Sequence, residues 1–387
     1  MVRRFSVAGH HVNDVPDPGQ LGAGWHVWEV TRGKGEEPLC RWWDSVLAAV
    51  DGTLKQTSAW VEYALATDYQ RAVLVAGYGA DGEPMAAAVG FITEPRWPLR
   101  GFRTMHLPGY PSTRGDIGRL REAVRVCERV AQELQCMTVE FWSLGQPEGV
   151  AGMEIPGYVL SQEQLEYTVD LSQGEDALWL RLSRRHRRNV SLSAKRGVCV
   201  ARADSLESVR ALRSLQVEVT RRHAAKGDTF GLRPPEDYDA LYKALVTRDL
   251  ARVYCAYVGD AVVSAVLYLT FGTGARWVYG GSNQLGLETR ASLAVLWRAM
   301  ADLSGEGFLE LSLGTATRDI EGQDPASPAY GLHEFKLGFG AQMRPVAAAS
   351  KVLRPVAVRV YRALQQVRSR LGGGRRRASP ARGEVGQ

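Results

Sequence analysis

The amino-acid sequence predicts a mixed α/β fold arranged as two tandem domains, and three observations support this prediction. The chain has 387 residues, which is too long for one small core. Its 45% hydrophobic and 23% charged residues are typical of a globular protein. The same order of strands and helices occurs twice, at an offset of about 175 residues, and such a repeat indicates two homologous domains.

The repeated order is a hairpin, a third strand, a long helix and a fourth strand. A strand at 25–30 and two short helices, 40–50 and from Gln56 to about Ala66, precede the first copy. The first copy covers residues 72–78, 84–92, 103–107, 116–136 and 137–142. The second covers residues 252–258, 261–271, 275–279, 289–303 and 308–313. Hairpins followed by strand–helix–strand predict mixed α+β sheets rather than a Rossmann fold.

The predicted domains are residues 1–165 and 166–349, and the chain changes character after them. Residues 350–371 form a basic amphipathic pattern typical of a helix, which Pro355 interrupts or starts. Residues 372–387 are rich in Gly, Arg and Pro, so we expect a disordered tail there.

A run of positive charge extends from Leu180 to Gly197 and includes five arginines between positions 181 and 188. We expect one basic helix ending at Gly197, because glycine suits the residue that follows a helix. Adjacent cations spread around a helix axis, so several faces would attract a polyanion, either an RNA backbone or a pyrophosphate. The alternative is a solvated helix face whose charge is balanced elsewhere.

The segment 331–340 carries one cation, Lys336, among aromatic and aliphatic side chains. Glycines at 331, 338 and 340 would let the backbone turn or approach a ligand closely. A lysine among apolar neighbours is partly desolvated and can stabilise a phosphate or a developing oxyanion. The alternative is an amphipathic turn whose lysine reaches out to water.

Three motifs together resemble the FemABX group of proteins. They are Gln56-x-x-x-Trp60, the basic Arg187-Arg188-Asn189 with Ala194 and Gly197, and Gly331-Leu332-x-x-Phe335-Lys336-x-x-Phe339-Gly340. The last is the most specific of the three, and the resemblance covers most of residues 40–345. It implies two tandem domains of the GNAT (acetyltransferase) plan, in agreement with the repeat. It also implies an enzyme that transfers an amino acid from aminoacyl-tRNA to an amine, forming a peptide bond.

The resemblance also implies roles for individual residues. Lys336 matches the family's lysine and would stabilise the oxyanion or a phosphate, while Phe335 would form a wall of the substrate channel. Arg222 stands where relatives carry an arginine that holds substrate phosphate, and Arg221 is the alternative register. Arg188, in the basic motif, would contact the substrate.

Two further candidates lie in the first half of the chain. Asp116 matches a carboxylate that could accept the amine's proton, although an aspartate there is also a good N-cap for the following helix. Tyr110 belongs to the loop 108–114, which resembles the acceptor-binding loop of the family but lacks its Arg-Gly-Pro, so the acceptor stays open. His333 is a secondary candidate base, because a histidine titrates near neutral pH.

The predicted partners are an aminoacyl-tRNA donor and an amine acceptor, a lipid-linked or nucleotide-linked peptidoglycan precursor or a related metabolite. The alternatives are an acyl-CoA-dependent N-acyltransferase and a polyanion-binding module without activity. We expect no cofactor and no metal, since the five cysteines are scattered and form no CxxC pair. The absence of an apolar segment after Arg3-Arg4 predicts a cytoplasmic protein, with peripheral contact at the inner membrane face through the basic C-terminus.

Overall fold

The computed structural model describes residues 3–5, 23–32, 37–95, 99, 101–142, 154–225 and 231–371. The chain divides into two compact units: unit 1 lies within Met1–Gln162 and Val346–Arg377, and unit 2 within Glu163–Pro345. The domain boundaries predicted from the sequence, 1–165 and 166–349, stay a prediction. The predicted disordered tail, 372–387, lies outside the described residues.

Unit 1 begins with a sheet flanked by helices. Its elements up to residue 142 are β1 (Arg3–Phe5), β2 (Gly24–Thr31), α1 (Glu37–Ala49), α2 (Ser58–Thr67), β3 (Arg71–Tyr78), β4 (Pro84–Thr93), β5 (Arg103–Leu107), α3 (Ile117–Glu133) and β6 (Cys136–Trp142). The strands are hydrogen-bonded in the order β1-β2-β3-β4-β5-β6. All neighbouring pairs are antiparallel except β5 and β6, which are parallel.

Unit 2 follows the same plan. Its elements are β7 (Val159–Asp170), α4 (Glu175–Arg181), α5 (Arg184–Lys195), β8 (Val198–Arg202), α6 (Leu206–Ala224), α7 (Pro235–Ala244), β9 (Ala251–Val258), β10 (Ala261–Phe271), β11 (Gly274–Ser282), α8 (Gln284–Glu288), α9 (Ala291–Gly305), β12 (Glu310–Thr317) and α10 (Pro328–Leu337). The strand order is β7-β12-β11-β10-β9-β8, with only β11 and β12 parallel.

Two elements complete the described chain: β13 (Gln342–Val352) and α11 (Pro355–Leu371). Residues 348–352 of β13 pair with β6, antiparallel, within unit 1. The helix begins at Pro355 rather than at Ser350, because residues 350–352 extend the strand and proline fits the first helical turn. No helix in the described ranges has the length and apolar content needed to cross a membrane.

The predicted mixed α/β fold and its internal repeat are confirmed. The order β3-β4-β5-α3-β6 in unit 1 recurs as β9-β10-β11-α9-β12 in unit 2. Each long helix buries one stripe of apolar side chains against its own sheet, as the period of 3.6 residues predicts. The same period places Ile117 on the stripe of α3, but this residue is exposed, because it is the first residue after the helix N-cap.

Two predicted segments differ from the structure. The basic run is two helices, because Leu182 and Ser183 leave helical geometry and the Ser183 hydroxyl caps α5. The expected turn at 331–340 is mainly helix α10, which starts at Pro328 after the cap Ser327 and ends at Gly338. Gly340 does adopt a positive φ of 77°, and Gly197 follows α5 with a φ of 74°, as expected.

A buried carboxylate fastens three strands of unit 2. Glu166 on β7 accepts hydrogen bonds from Arg276 on β11 and Ser312 on β12, both at 2.6 Å, and from Arg344 on β13 at 2.9 Å. Arg344 also forms a two-bond ion pair with Glu310. Burial would raise the pKa of Glu166, but the two guanidinium groups and the Ser312 hydroxyl outweigh burial and hold the pKa below its usual value.

We expect Glu166→Gln to lower the free energy of unfolding by about 3 kcal/mol, because it leaves two arginines without their buried counter-charge. Glu310→Gln is the matched control: its side chain is 44% exposed and meets the same Arg344, so its loss should cost under about 1 kcal/mol. Urea unfolding midpoints at neutral pH measure both changes. Equal costs for the two variants would contradict the prediction.

The same carboxylate predicts the acid sensitivity of the fold. Because the folded pKa of Glu166 is lowered, its stabilising contribution is present above the unfolded pKa of about 4.3 and is lost as pH falls through the folded pKa. Wild-type stability should therefore fall more steeply below about pH 4.3 than that of Glu166→Gln. Parallel acid titrations of the urea midpoint would show the difference.

Candidate active site

The parallel strands of unit 2 form a split. β11 and β12 are hydrogen-bonded over three positions only, ending at the pair Arg276 and Ser312. Both strands continue beyond this point, β11 to Ser282 and β12 to Thr317, and β12 pairs there with β7. The Glu166 carboxylate bonds both Arg276 and Ser312, so it holds the closed end of the split.

A β-bulge shapes the β12 side of the split. The register between β12 and β7 shifts between Ser312 and Thr315, and Gly314 adopts a φ of 82°. This left-handed conformation favours glycine because a Cβ would be strained there. The bulge immediately precedes Thr315, whose carbonyl accepts a hydrogen bond from Lys336.

Lys336 is a buried cation beside the split. Its side chain lies in α10 and the residue is only 1% exposed. The Nζ donates to the Thr315 carbonyl at 3.1 Å and lies 4.8 Å from the ring centroid of Tyr167. A cation–π contact and a carbonyl dipole both stabilise an ammonium that has lost water. The predicted catalytic lysine is therefore desolvated.

A tyrosine–histidine pair supports this end of α10. The Tyr167 hydroxyl and His333 Nδ1 are 2.6 Å apart, and both residues are buried. Burial, and to a lesser extent the charge of Glu321, raises the pKa of Tyr167 to about 12. The phenol thus keeps its proton at neutral pH and can donate it to Nδ1. His333, the secondary candidate base, is thus buried and held by this hydrogen bond.

Phe335 faces an aromatic group that spans α5, α10 and β11. Its half-buried ring lies 5.3 Å from the ring of Phe339, 5.6 Å from that of His186 and 6.4 Å from that of Trp277. Trp277 is the first residue of β11 beyond the paired positions. Phe335, the predicted channel wall, therefore lies beside the split.

His186 joins the basic helix α5 to α10. Its Nε2 is 3.0 Å from the Phe335 carbonyl and its Nδ1 is 3.0 Å from the Ser183 hydroxyl. A carbonyl can only accept, so Nε2 carries a proton and donates it, and Nδ1 accepts from Ser183. Burial, opposed by the bond to Phe335 and assisted by the charge of Arg185, lowers the pKa of His186. The imidazole is consequently neutral at pH 7.

The arginines of α5 divide into structural and exposed ones. Arg187 Nη1 donates to the Leu180 carbonyl at 2.6 Å and so closes the end of α4. Arg184, Arg185 and Arg188 are exposed. Of the predicted basic contact residues, Arg188 therefore presents its charge to solvent on the helix that His186 fixes to α10.

Arg222 lies at the far end of β11. It is half-buried on α6, and its Nη2 donates to the Ser282 carbonyl at 2.7 Å. Arg221, the alternative register, is exposed. The structure thus places Arg222, and not Arg221, against the strand that borders the split, while a role in holding phosphate stays a prediction.

Asp116 and Tyr110 belong to unit 1. Asp116 caps α3: its Oδ1 accepts from the backbone N–H of Arg119 at 3.0 Å, and its side chain is 48% exposed. The Tyr110 ring is buried and stacks on Phe141 at 5.6 Å, and burial raises the pKa of its hydroxyl. Direct contact of this ring with a substrate would therefore require the side chain to leave the core.

Gln56, the first residue of the motif Gln56-x-x-x-Trp60, has a structural role. Its buried amide accepts from Ser112 Oγ and from the Thr53 backbone N–H, both at 2.8 Å, and its Nε2 donates to the Tyr110 carbonyl at 3.4 Å. Gln56 thus holds the loop 108–114 in place. This loop is the one that the resemblance assigns to acceptor binding.

Sequence reasoning did not identify Glu166, Tyr167 or His186 as parts of the site. Glu166 and Tyr167 lie more than 100 residues from their partners along the chain. Local residue spacing cannot predict contacts over such separations. His186 was visible only as one uncharged position within an arginine run. The structure shows it buried at one face of α5.

Part of unit 2 matches a known domain family. Residues 181–325 match the family described as acetyltransferase (GNAT) domain. No curated protein sequence matches the chain. The family match covers the strands of unit 2 from β8 to β12, so the split lies in a part of the chain that is similar to GNAT domains.

Solved structures extend the likeness to most of the chain. FemX superposes with a TM-score of 0.66 and 15% identity, covering 84% of this chain and 97% of that one. The C-terminal domain (DUF2156) of a putative lysylphosphatidylglycerol synthetase from Agrobacterium fabrum gives 0.51 and 15%, covering 83% and 96%. L-PGS from Bacillus licheniformis gives 0.51 and 15%, covering 87% and 99%. At these identities the likeness establishes the fold.

The contact between α10 and α5 predicts opposite effects for two glycines. A Cβ on Gly338 would lie 2.2 Å from His186 Cε1, whereas a Cβ on Gly331 would meet nothing within 4 Å. Gly338→Ala should lower the free energy of unfolding by about 1–3 kcal/mol, since the ring or the helix must shift. Gly331→Ala should raise it by about 0.5–1 kcal/mol, because alanine suits a helix interior better.

Urea midpoints of the two variants and the wild type measure this contrast. Gly331→Ala serves as the matched control because it makes the same substitution in the same helix. Equal midpoints for both variants would show that His186 does not pack on Gly338 as described.

Proposed function

From the FemABX-like GNAT fold of this chain, we propose that the protein is an aminoacyltransferase that moves an amino acid from aminoacyl-tRNA to an amine acceptor. The observation that carries the proposal is the desolvated Lys336 ammonium beside the split of a GNAT-type domain. The name of one structural neighbour, a putative lysylphosphatidylglycerol synthetase, also supports aminoacyl transfer.

The proposed reaction is ester aminolysis. The acceptor nitrogen attacks the ester carbonyl carbon, a C–N bond forms, and the carbonyl oxygen becomes an oxyanion. The C–O bond to the tRNA 3′-oxygen then breaks, and the proton from the amine passes to that oxygen. Such a reaction needs a cationic donor for the oxyanion and a group that takes the amine's proton.

Lys336 supplies the cation in this proposal. Its Nζ already binds a carbonyl oxygen, that of Thr315, so an oxyanion entering the split can take up or share the same donor. In a buried environment the attraction between the ammonium and an oxyanion is stronger than in water. Phe335 and Trp277 would form apolar walls that exclude water from the ester.

Asp116 remains the proposed proton acceptor from the amine. Its carboxylate is half-exposed at the start of α3, where it already caps the helix and pairs with Arg119 at 3.3 Å. The loop 108–114, held by Gln56, would contact the acceptor through its backbone and surface groups. Tyr110 would then act by keeping this loop in position.

The exposed arginines of α5 are the proposed contact for the tRNA backbone. Arg188 would meet phosphates near the aminoacylated end, and Arg222, bound to the end of β11, would meet a phosphate at the split. Because His186 fixes α5 to α10, the phosphate contacts and Lys336 keep a constant separation.

The proposed acceptor is a peptidoglycan precursor, lipid-linked or nucleotide-linked, or a related metabolite. Such precursors are made in the cytoplasm and at its membrane face, so we propose that the protein acts there. Because the loop 108–114 lacks the family's Arg-Gly-Pro, the acceptor could also be a different amine.

An acyl-CoA-dependent N-acyltransferase is the second candidate, which the GNAT family match favours. GNAT domains bind pyrophosphate through free backbone N–H groups in the loop after the equivalent of β11. Here the Gly286 N–H donates to Asn283 Oδ1 at 2.9 Å, and Glu288 adds negative charge. Both features disfavour a pyrophosphate at this loop.

We expect Lys336→Met to reduce aminoacyl transfer by about 100-fold or more, in the range observed when one oxyanion donor is removed. The measurement is a single-turnover assay with a pool of labelled aminoacyl-tRNAs and candidate amine acceptors, including peptidoglycan precursors. Methionine keeps most of the side-chain volume, so an unchanged urea midpoint would separate lost chemistry from lost folding.

The matched control is Lys243→Met, which removes an exposed lysine of α7 and should leave transfer unchanged. Turnover of acyl-CoA in place of aminoacyl-tRNA would overturn the proposal in favour of the second candidate. Full activity of Lys336→Met would show that Lys336 does not stabilise the oxyanion.

Arg188→Gln should weaken tRNA binding at every tRNA sequence and reduce the slope of log affinity against log salt by about 0.7–0.9, the effect of one phosphate contact. Filter binding at several salt concentrations measures both quantities. Arg210→Gln is the control, because Arg210 is an exposed arginine already paired with Asp239. Identical salt slopes for Arg188→Gln and wild type would show that Arg188 does not contact a tRNA phosphate.

A further inference from the structure

Helix α11 presents an apolar stripe to solvent. Four of its side chains are 71%, 45%, 41% and 52% exposed, in the order Val356, Val360, Leu364 and Val367. Spacings of four, four and three residues place them along one side of the helix. These four residues are called the apolar stripe below.

Unit 1 holds α11 by a different side. The ring of Tyr361 packs on the ring of Phe102, with centroids 5.4 Å apart. Just before the helix, the backbone N–H of Leu353 donates to the Met137 carbonyl at 2.8 Å. The helix is therefore attached to the fold without using its apolar stripe, which is left facing outward.

The charge around the stripe is strongly positive. Residues 351–387 contain ten basic residues and one acid, a net charge of +9. The whole chain is +6, so residues 1–350 are net −3. Arg359 and Arg362 are exposed on α11 itself. The surplus of positive charge thus lies largely in the C-terminal segment that carries the stripe.

The occupant of this surface must be both apolar and negatively charged. A bilayer that contains anionic phospholipid offers acyl chains beneath a layer of phosphate groups. A nucleic acid would match the arginines but leave four large apolar side chains in water. A second copy would cover the stripe but bring two basic helices together.

We propose that α11 is an interfacial helix that docks the protein on an anionic phospholipid membrane, with its apolar stripe in the headgroup–acyl boundary and its arginines among the phosphates. The 17 residues of the helix would lie in the membrane plane. This surface is independent of the reaction proposed above, since it involves no residue of the split.

Co-sedimentation of the full chain with vesicles tests the proposal. Wild type should bind vesicles that contain phosphatidylglycerol and should bind weakly to vesicles of phosphatidylcholine alone, with binding that falls as salt rises. Val360→Asp with Leu364→Asp should reduce partitioning by tenfold or more. Arg359→Gln with Arg362→Gln should reduce it on the order of tenfold, and only for anionic vesicles.

Ile117→Asp is the matched control, because Ile117 is a 51% exposed apolar residue of the same unit. It should bind vesicles as wild type does. All replaced side chains are exposed, so circular dichroism spectra and urea midpoints should be unchanged.

Three outcomes would overturn the proposal. One is equal vesicle binding by wild type and Val360→Asp with Leu364→Asp. Another is loss of tRNA binding in the α11 variants when wild type does not bind vesicles. The third is self-association of wild type that the stripe substitutions abolish, again without vesicle binding. None of these measurements needs an acyl donor, so failure of the transfer assay would leave this test intact.

Discussion

The Glu166 carboxylate is the constraint on which the site in unit 2 depends. It bonds the last paired residues of β11 and β12, so it holds these strands together at the point where the split begins. A buried carboxylate is tolerated only when its charge and lone pairs are satisfied. Two arginines and one serine satisfy it here. The position of the split is thus tied to a charge cluster rather than to apolar packing alone.

Tyr167, the next residue of β7, points to the opposite face of the strand and supports Lys336. Tyr167 places its ring under the Lys336 ammonium and its hydroxyl on His333. Alternation along a strand makes this division possible, because successive side chains lie on opposite faces. A one-residue slip of β7 would therefore disturb both the closed end of the split and the support of the lysine.

The sequence predicted most of the fold, because hairpin turns, strand alternation and helical stripes are local signals. It also indicated Lys336 and Phe335, through a short motif. The glycines of the segment 331–340 indicate a turn or a close approach to a ligand, whereas most of the segment belongs to helix α10, which starts at Pro328 after the cap Ser327. Contacts such as His186 with Phe335 join positions 149 residues apart. No period or spacing encodes them, so they could not be predicted from one sequence.

The two basic surfaces of the chain differ in what they could bind. On α5, the exposed cations accompany a helix whose orientation is fixed by a buried neutral histidine, and its charge lies next to the split. On α11, the cations accompany four exposed apolar residues, and the helix is held by the contact of Tyr361 with Phe102 and by the backbone bond of Leu353 just before it. A phosphate backbone needs rigidly placed charge and no apolar partner, whereas a lipid surface needs apolar depth and tolerates loose placement. The donor and the membrane are therefore expected to use different helices, and substitutions in one should leave binding to the other unchanged.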